Sequence, residues 1–269
     1  MLKALKNILS NAENYAFVGL PCQIDTLRRI ECEREELKEN VKAHLGLFCN
    51  HVNEYWYVFY LTHLYEGNEC YPISITPRSG FWPGSITIKT NCGSFSLSLI
   101  DFWENMPSLH FSSPMGCLFC ENHLNINADI ALGDAWLPEV AKEGSAGTSM
   151  IVAFTDEGKE IIEDACEKGY ISIEEVNLRD LVRAQLESIV VKHKVVPIRR
   201  EIFRRKIPVN IFNRNLMNKM IMVFLPLINS YFGRKQIFRE VMLKNRALTG
   251  KILDFYRLLM RRVSQRLNS

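Results

Sequence analysis

Two apolar runs, each followed at once by an amphipathic stretch, most constrain the fold of this chain. "YAFVGL" (15–20) is broken by Pro21 and leads into "CQIDTLRRIECEREELKEN", with Ile24, Leu27 and Ile30 at helical spacing. "VKAHLGLFC" (41–49) leads into "NHVNEYWYVFYLTHLYEG", which is expected to turn Val52, Tyr55, Trp56, Phe59, Tyr60 and Leu64 toward a core and to stop at Gly67. Strand, helix, strand, helix with short links predicts a parallel sheet. Its carboxyl edge, where ligands of such sheets bind, then carries Cys22 and Cys49.

Residues 70–100 change period. "ISITPRSGFWPGSITIKTNCGSFSLSLI" alternates apolar and polar residues around Pro-Gly and Asn-Cys-Gly turns, which predicts an inserted antiparallel hairpin or three-stranded meander. "ADIALGDA" and "TSMIVAFT" read as further strands, and "DEGKEIIEDACEKGY" as a helix capped by Asp156, with Ile161, Ile162 and Ala165 on its apolar face and Gly169 at its end. The expected fold class is therefore α/β, a parallel-sheet core with an inserted antiparallel hairpin or meander and a C-terminal helical appendage.

Charge divides the chain at the same place as composition. Residues 1–198 hold 16 Lys+Arg against 27 Asp+Glu, and residues 199–269 hold 17 against 3. An acidic α/β domain over 1–198 and a basic tail over 199–269 are expected. "FREVMLKNRALTGKILDFYRLLMRRVSQRL" reads as a basic amphipathic helix suited to an anionic membrane surface or to the acidic body, and no nucleic-acid motif accompanies it. "MIMVFLPLINSYF" is too short to span a bilayer and contains Pro226. With no leader-like segment in the sequence, the expected location is the cytoplasm, the tail placed to meet the inner face of the membrane.

In that compartment thiols stay reduced, so the 8 cysteines are expected as thiols or metal ligands rather than disulfides. Cys117 and Cys120 form a C-x-x-C pair, which by itself fits half a zinc site, half an iron-sulfur site or a redox dithiol. Joined by Cys22 and Cys49, they make a four-thiolate set that suits either zinc or a 4Fe-4S cube. A structural zinc more usually takes two local pairs, which favours the cluster. Cys32, Cys70, Cys92 and Cys166 match no motif and are expected to be ordinary thiols. His51 and His123 each follow one of these cysteines by two or three positions, where an imidazole can orient a ligand. Asp129 and Asp134 suit either a cofactor hydroxyl or a turn at a strand end. "GSAGTS" lacks the Gly-Lys-Ser/Thr of a phosphate loop.

"GLPCQIDTLRRI", "LGLFCNHV", "GCLFCENHLNINADIALGDAW" and "GTSMIVAFTDEGKEII", in this order over about residues 15–180, resemble the C-terminal domain of the coenzyme F(420) hydrogenase/dehydrogenase beta-subunit family. The resemblance implies an iron-sulfur flavoprotein that passes electrons between a 4Fe-4S cluster, FAD and a soluble hydride carrier such as coenzyme F(420). It implies Cys22, Cys49, Cys117 and Cys120 as cluster ligands, and Gln23, Gly133, Asp134, Thr148 and Ser149 as residues near the cofactor. Family members carry a longer segment before the Pro-Cys-Gln turn, with a Ser-Gly-Gly stretch of the flavin site. An electron-donor protein or a separate N-terminal subunit is therefore an expected partner. The alternative is a noncatalytic scaffold or binding subunit with a structural four-cysteine metal site and a docking tail.

Overall fold

The computed structural model describes residues 2–11, 13–104, 110–140, 142, 144–203, 214–244, 251, 254, 255 and 258. Its contacts divide the chain into two compact units: residues 1–50, 121–141 and 147–192 in the first, and 51–120, 142–146 and 193–269 in the second.

The first unit is built on a four-stranded sheet in the order β1 (Tyr15–Gly19), β2 (Val41–Leu47), β6 (Ile130–Asp134), β7 (Ser149–Ala153). β1, β2 and β6 run parallel, as the strand–helix pattern predicts, but β7 returns antiparallel to β6, with Asp134 opposite Ser149 and Ile130 opposite Ala153. The helical stretch after β1 is two helices, α2 (Pro21–Glu31) and α3 (Glu35–Asn40). Pro21 sits in the first turn of α2, where a missing N–H costs nothing. Ile24 and Leu27 of α2 and Leu37 of α3 are fully buried with Phe17, Val41, Ala128 and with Leu5 and Ile8 of α1 (Leu2–Ser10).

α7 (Asp156–Glu167) follows β7, and its cap is Thr155 rather than Asp156: the Thr155 hydroxyl accepts the Gly158 N–H at 3.0 Å. Asp156 instead lies in the first turn, where its charge favours the helix N-terminus. Gly158 is the buried residue of this helix, and a Cβ there would lie 2.2 Å from the Asp129 carbonyl oxygen. Ile161, expected to be core, is exposed. α8 (Leu178–Ala184) supplies Leu181 and Ala184 to a second cluster with Ala135, Leu137 and Met150. α9 (Leu186–Val190) and a π-helical turn (Val191–Val195) follow.

The second unit holds the expected meander as a separate antiparallel sheet, β3 (Pro72–Ser79), β4 (Ser85–Thr90), β5 (Ser94–Ser98). α4 (Trp56–Glu66) packs on it through Tyr57, Tyr60 and Leu61, with Leu64 partly buried. This corrects the face expected from Val52, Tyr55 and Phe59, all exposed. The helix begins at Trp56, so its apolar period runs from Tyr57, one residue out of phase with a count from Val52. α5 (Leu99–Glu104) adds Phe102 to the same core, and α6 (Met115–Leu118) carries the first motif cysteine of the C-x-x-C pair.

Cys70 and Cys92 are not thiols but a disulfide, with Cα atoms 5.7 Å apart. The hairpin dictates this: beside them Asn91 donates its N–H to the Tyr71 carbonyl at 3.2 Å, and Pro72 pairs with Thr90.

α10 (Val196–Phe203), α11 (Arg214–Gly233) and α12 (Gln236–Lys244) complete this unit. Met242 and Phe238 of α12 enter the α4 core, and the Arg239 guanidinium lies 4.7 Å from the Trp56 ring centroid. Most of the expected helix over 238–267 lies outside the described residues. Among those described, no helix is long and apolar enough to cross a membrane.

Candidate metal and cofactor site

The carboxyl ends of β1 and β2 are adjacent, and both lead directly to a thiol. Cys22 is exposed in the first turn of α2, where unsatisfied backbone N–H groups favour negative charge. Gln23, its neighbour, uses its side-chain oxygen to accept the Leu20 N–H at 2.9 Å and so caps the helix. Cys49 is half-buried beyond the end of β2.

Asn125 ties these strand ends together. It is fully buried with a φ of 62°, and its Nδ2 donates to the carbonyls of Gly19 at 3.0 Å and Leu47 at 3.3 Å. An asparagine tolerates that left-handed backbone better than most side chains. Gly46 is required beneath it, since a Cβ would meet the Asn125 carboxamide at 2.5 Å.

Cys49 is held by its backbone. Its N–H donates to the His123 carbonyl at 2.9 Å, and its carbonyl faces His123 Nδ1 at 3.2 Å. His123 Nε2 lies 3.1 Å from Gln185 Oε1, while Gln185 Nε2 donates to the Asp134 carbonyl at 2.6 Å. Both ring nitrogens thus face acceptors, so a neutral tautomer makes one of the two bonds and the imidazolium makes both. Phe48 lies over β6 against His123, with ring centroids 5.7 Å apart. Gly133 leaves the room for it: a Cβ there would be 2.1 Å from Phe48. Asp134 is half-buried, and Thr148 and Ser149 are exposed at the start of β7.

Asp129 belongs to a buried charge network. Its Oδ2 accepts the His44 backbone N–H at 2.8 Å and lies 3.0 Å from His44 Nδ1, and its Oδ1 pairs with Arg28 at 2.7 Å. His44 Nε2 lies 2.7 Å from Glu31, and the Thr155 hydroxyl donates to Asp129 at 3.2 Å. Burial alone pushes the Asp129 carboxyl up, but the His44 backbone and ring and the Arg28 guanidinium together hold it below the usual carboxylate range. Two carboxylates facing an imidazole and a guanidinium form a compensated cluster that joins α2, β2, β6 and α7.

In the second unit, Cys117 and Cys120 are half-buried thiols on one tight turn, closed by Cys120 N–H to the Cys117 carbonyl at 3.3 Å. The Gly/Ser stretch after Lys142 spends backbone groups on its own chain rather than on a phosphate cradle: Gly144 N–H donates to the Trp82 carbonyl, and the Ser145 carbonyl accepts the Trp82 N–H. Cys22 and Cys49 thus belong to one unit and Cys117 and Cys120 to the other. Among the described residues, no group of three or more His, Cys, Asp or Glu is gathered to hold a metal ion. The donor set nonetheless fits a thiophilic centre in kind, because all four motif cysteines are thiols outside any disulfide and have solvent access.

Fold and site together define an α/β domain with cysteines at the ends of its parallel strands. The sequence matches, over residues 12–178, the family described as the C terminus of the coenzyme F(420) hydrogenase/dehydrogenase beta subunit, and the chain belongs to that family. No curated protein matches it. Among solved structures it is similar to a chain of the xenon-derivatized F(420)-reducing NiFe hydrogenase complex from Methanosarcina barkeri, at 20% identity and a TM-score of 0.48. That similarity covers 75% of this chain and 66% of the other.

Asn125, Gln185 and Arg28 were not singled out by sequence reasoning. The "NHLNINAD" stretch offered the signal for Asn125, an asparagine in a turn between a C-x-x-C and a strand.

Proposed function

We propose that this chain is an electron-transfer oxidoreductase domain in which Cys22, Cys49, Cys117 and Cys120 ligate a 4Fe-4S cluster, working with FAD and a soluble hydride carrier such as coenzyme F(420). The observation that carries the reading is the state of the cysteines. The four that fall in family motifs are all accessible thiols, whereas Cys70 and Cys92 are bonded to each other. The match to the family over residues 12–178 includes all four.

When bound, the cluster would supply one-electron transfer and the flavin the exchange between one-electron and hydride chemistry. The chain's own residues hold the donors. The first turn of α2 presents Cys22 to solvent, His123 fixes the backbone of Cys49, and the C-x-x-C turn presents Cys117 and Cys120 together. Gln23, Gly133, Asp134, Thr148 and Ser149 are proposed for the flavin side, with the exposed Thr148 and Ser149 hydroxyls as donors to a ligand. The proposed partners are an electron-donor protein or subunit and, for the basic residues beyond α12, an anionic membrane surface at the cytoplasmic face.

The test is iron, zinc, acid-labile sulfide and flavin analysis with an absorption spectrum on protein purified without oxygen. About four irons and four sulfides per chain are expected. Cys117→Ser is expected to lose them and Cys166→Ser to keep them. Equal iron in both variants would remove the ligand assignment, and one zinc without colour would give the scaffold reading with a structural metal site.

A further inference from the structure

Arg199 is 2% exposed on α10, and each of its three guanidinium nitrogens donates to a backbone carbonyl. Nη2 donates to Met222 at 3.0 Å, Nε to Val223 at 3.0 Å, and Nη1 to Leu118. Leu118 lies between Cys117 and Cys120. Met222 is four residues before Pro226, which lies inside α11 and has no N–H to return to that carbonyl; Arg199 supplies the missing donor.

Two further contacts run along the same pair of segments. The Ser230 hydroxyl donates to the Ser113 carbonyl at 2.8 Å, and Gly233 lies so close that a Cβ would stand 1.8 Å from the Phe111 carbonyl oxygen. Residues 233, 230 and 222–223 of α11 therefore meet 111, 113 and, through Arg199, 118. The tail grips the whole lead-in to the C-x-x-C turn.

Among the described residues, no carboxylate is a hydrogen-bond partner of Arg199. Burial pulls its guanidinium down to about 10, which still leaves it protonated at neutral pH. A buried cation bonded only to neutral carbonyls is costly unless an anionic group lies near. The turn it holds carries two thiols that become thiolates on binding a metal.

We infer that Arg199 is a positioning residue for the C-x-x-C turn and the counter-charge of the metal–thiolate centre on it, so that the basic tail biases that centre toward its reduced form. The charge half of this inference rests on the proposed cluster; the grip on the turn does not. A fixed positive charge favours the state with one more electron, here the cluster after it accepts one electron from an added donor such as dithionite.

The experiment compares full-length wild type, Arg199→Lys and Arg199→Met. Amide hydrogen exchange of the metal-free protein reads the grip. At Cys117, Phe119 and Cys120 exchange is expected to quicken about tenfold in Arg199→Met, from loss of hydrogen bonds to a charged group. Midpoint potential of the loaded protein reads the charge: Arg199→Met is expected to fall below wild type and Arg199→Lys to return toward it. Unchanged exchange overturns the grip, and an unchanged potential overturns the counter-charge. If Arg199→Met does not fold, Arg199→Lys decides, because it keeps the charge but loses the three-way fork; unchanged exchange at the turn then overturns the inference. A wild type that binds no iron refutes the cluster reading and the counter-charge, while the exchange measurement still judges the grip.

Discussion

The two pairs of motif cysteines are held in different ways. Cys22 and Cys49 leave the ends of neighbouring parallel strands, and the polar side chains of Asn125, His123 and Gln185 fix the backbone around them. Cys117 and Cys120 sit at the short helix α6 and the turn after it, in a segment whose carbonyls accept from Arg199 and Ser230 and lie close against Gly233, residues beyond the family match. The sheet edge is held by residues that the family match itself covers, apart from Gln185. The C-x-x-C turn is held from helices that lie beyond the matched residues.

The contrast breaks most severely at the buried charges of the first unit. His44→Ala leaves Glu31 and Asp129 facing each other's charge without the imidazole and is expected to cost about 3–5 kcal/mol. In chemical denaturation with hydrogen exchange, protection should fall in β1, β2 and β6 while β3–β5 keeps its own; equal loss in both sheets would mean that the units do not open separately. The same network gives the first unit an acid limit. Because the folded Asp129 carboxyl lies below its ordinary value, its contribution is complete above the unfolded carboxylate value of about 3.9 and is lost as pH falls through the lower folded one. Asp129→Asn should flatten that part of the stability–pH curve.

A pair of glycine substitutions sharpens the comparison at the thiols themselves. Gly133→Ala must displace the Phe48 ring, and Gly233→Ala must push α11 away from the Phe111 carbonyl, each at about 1–3 kcal/mol. Alkylation rates followed by mass spectrometry should change at Cys49 in the first variant and at Cys117 and Cys120 in the second. The smallest effect is at the helix cap. Thr155→Ala loses the Gly158 cap and the bond to Asp129, and about 1 kcal/mol of stability, without altering alkylation at Cys117.

The strands and the meander were legible because they are local: apolar runs of strand length, alternation and turn residues. What organises them was not. Asn125 meets Gly19 across 106 residues and Arg199 meets Leu118 across 81, distances over which no periodicity speaks. Arg199 read only as one charge in a basic tail, although its part is made by its donors and by Pro226. The α4 face was misplaced because Val52 and Tyr55 precede the helix start and shift the count. The Cys70–Cys92 bond was missed because a compartment argument was applied to all cysteines alike, while hairpin pairing decides which two can meet.

That bond makes a reductant act on the chain's cysteines in two opposite ways. It closes a loop with a sequence separation of 22 at the base of β3 and β4, worth about 3 kcal/mol by loop-closure entropy. The six other cysteines are thiols. A reductant strong enough to keep those thiols from oxidising also attacks the clamp on the hairpin. Handling that protects one end of the second unit therefore loosens the other, and a titration with dithiothreitol, read at both places, would separate the two demands.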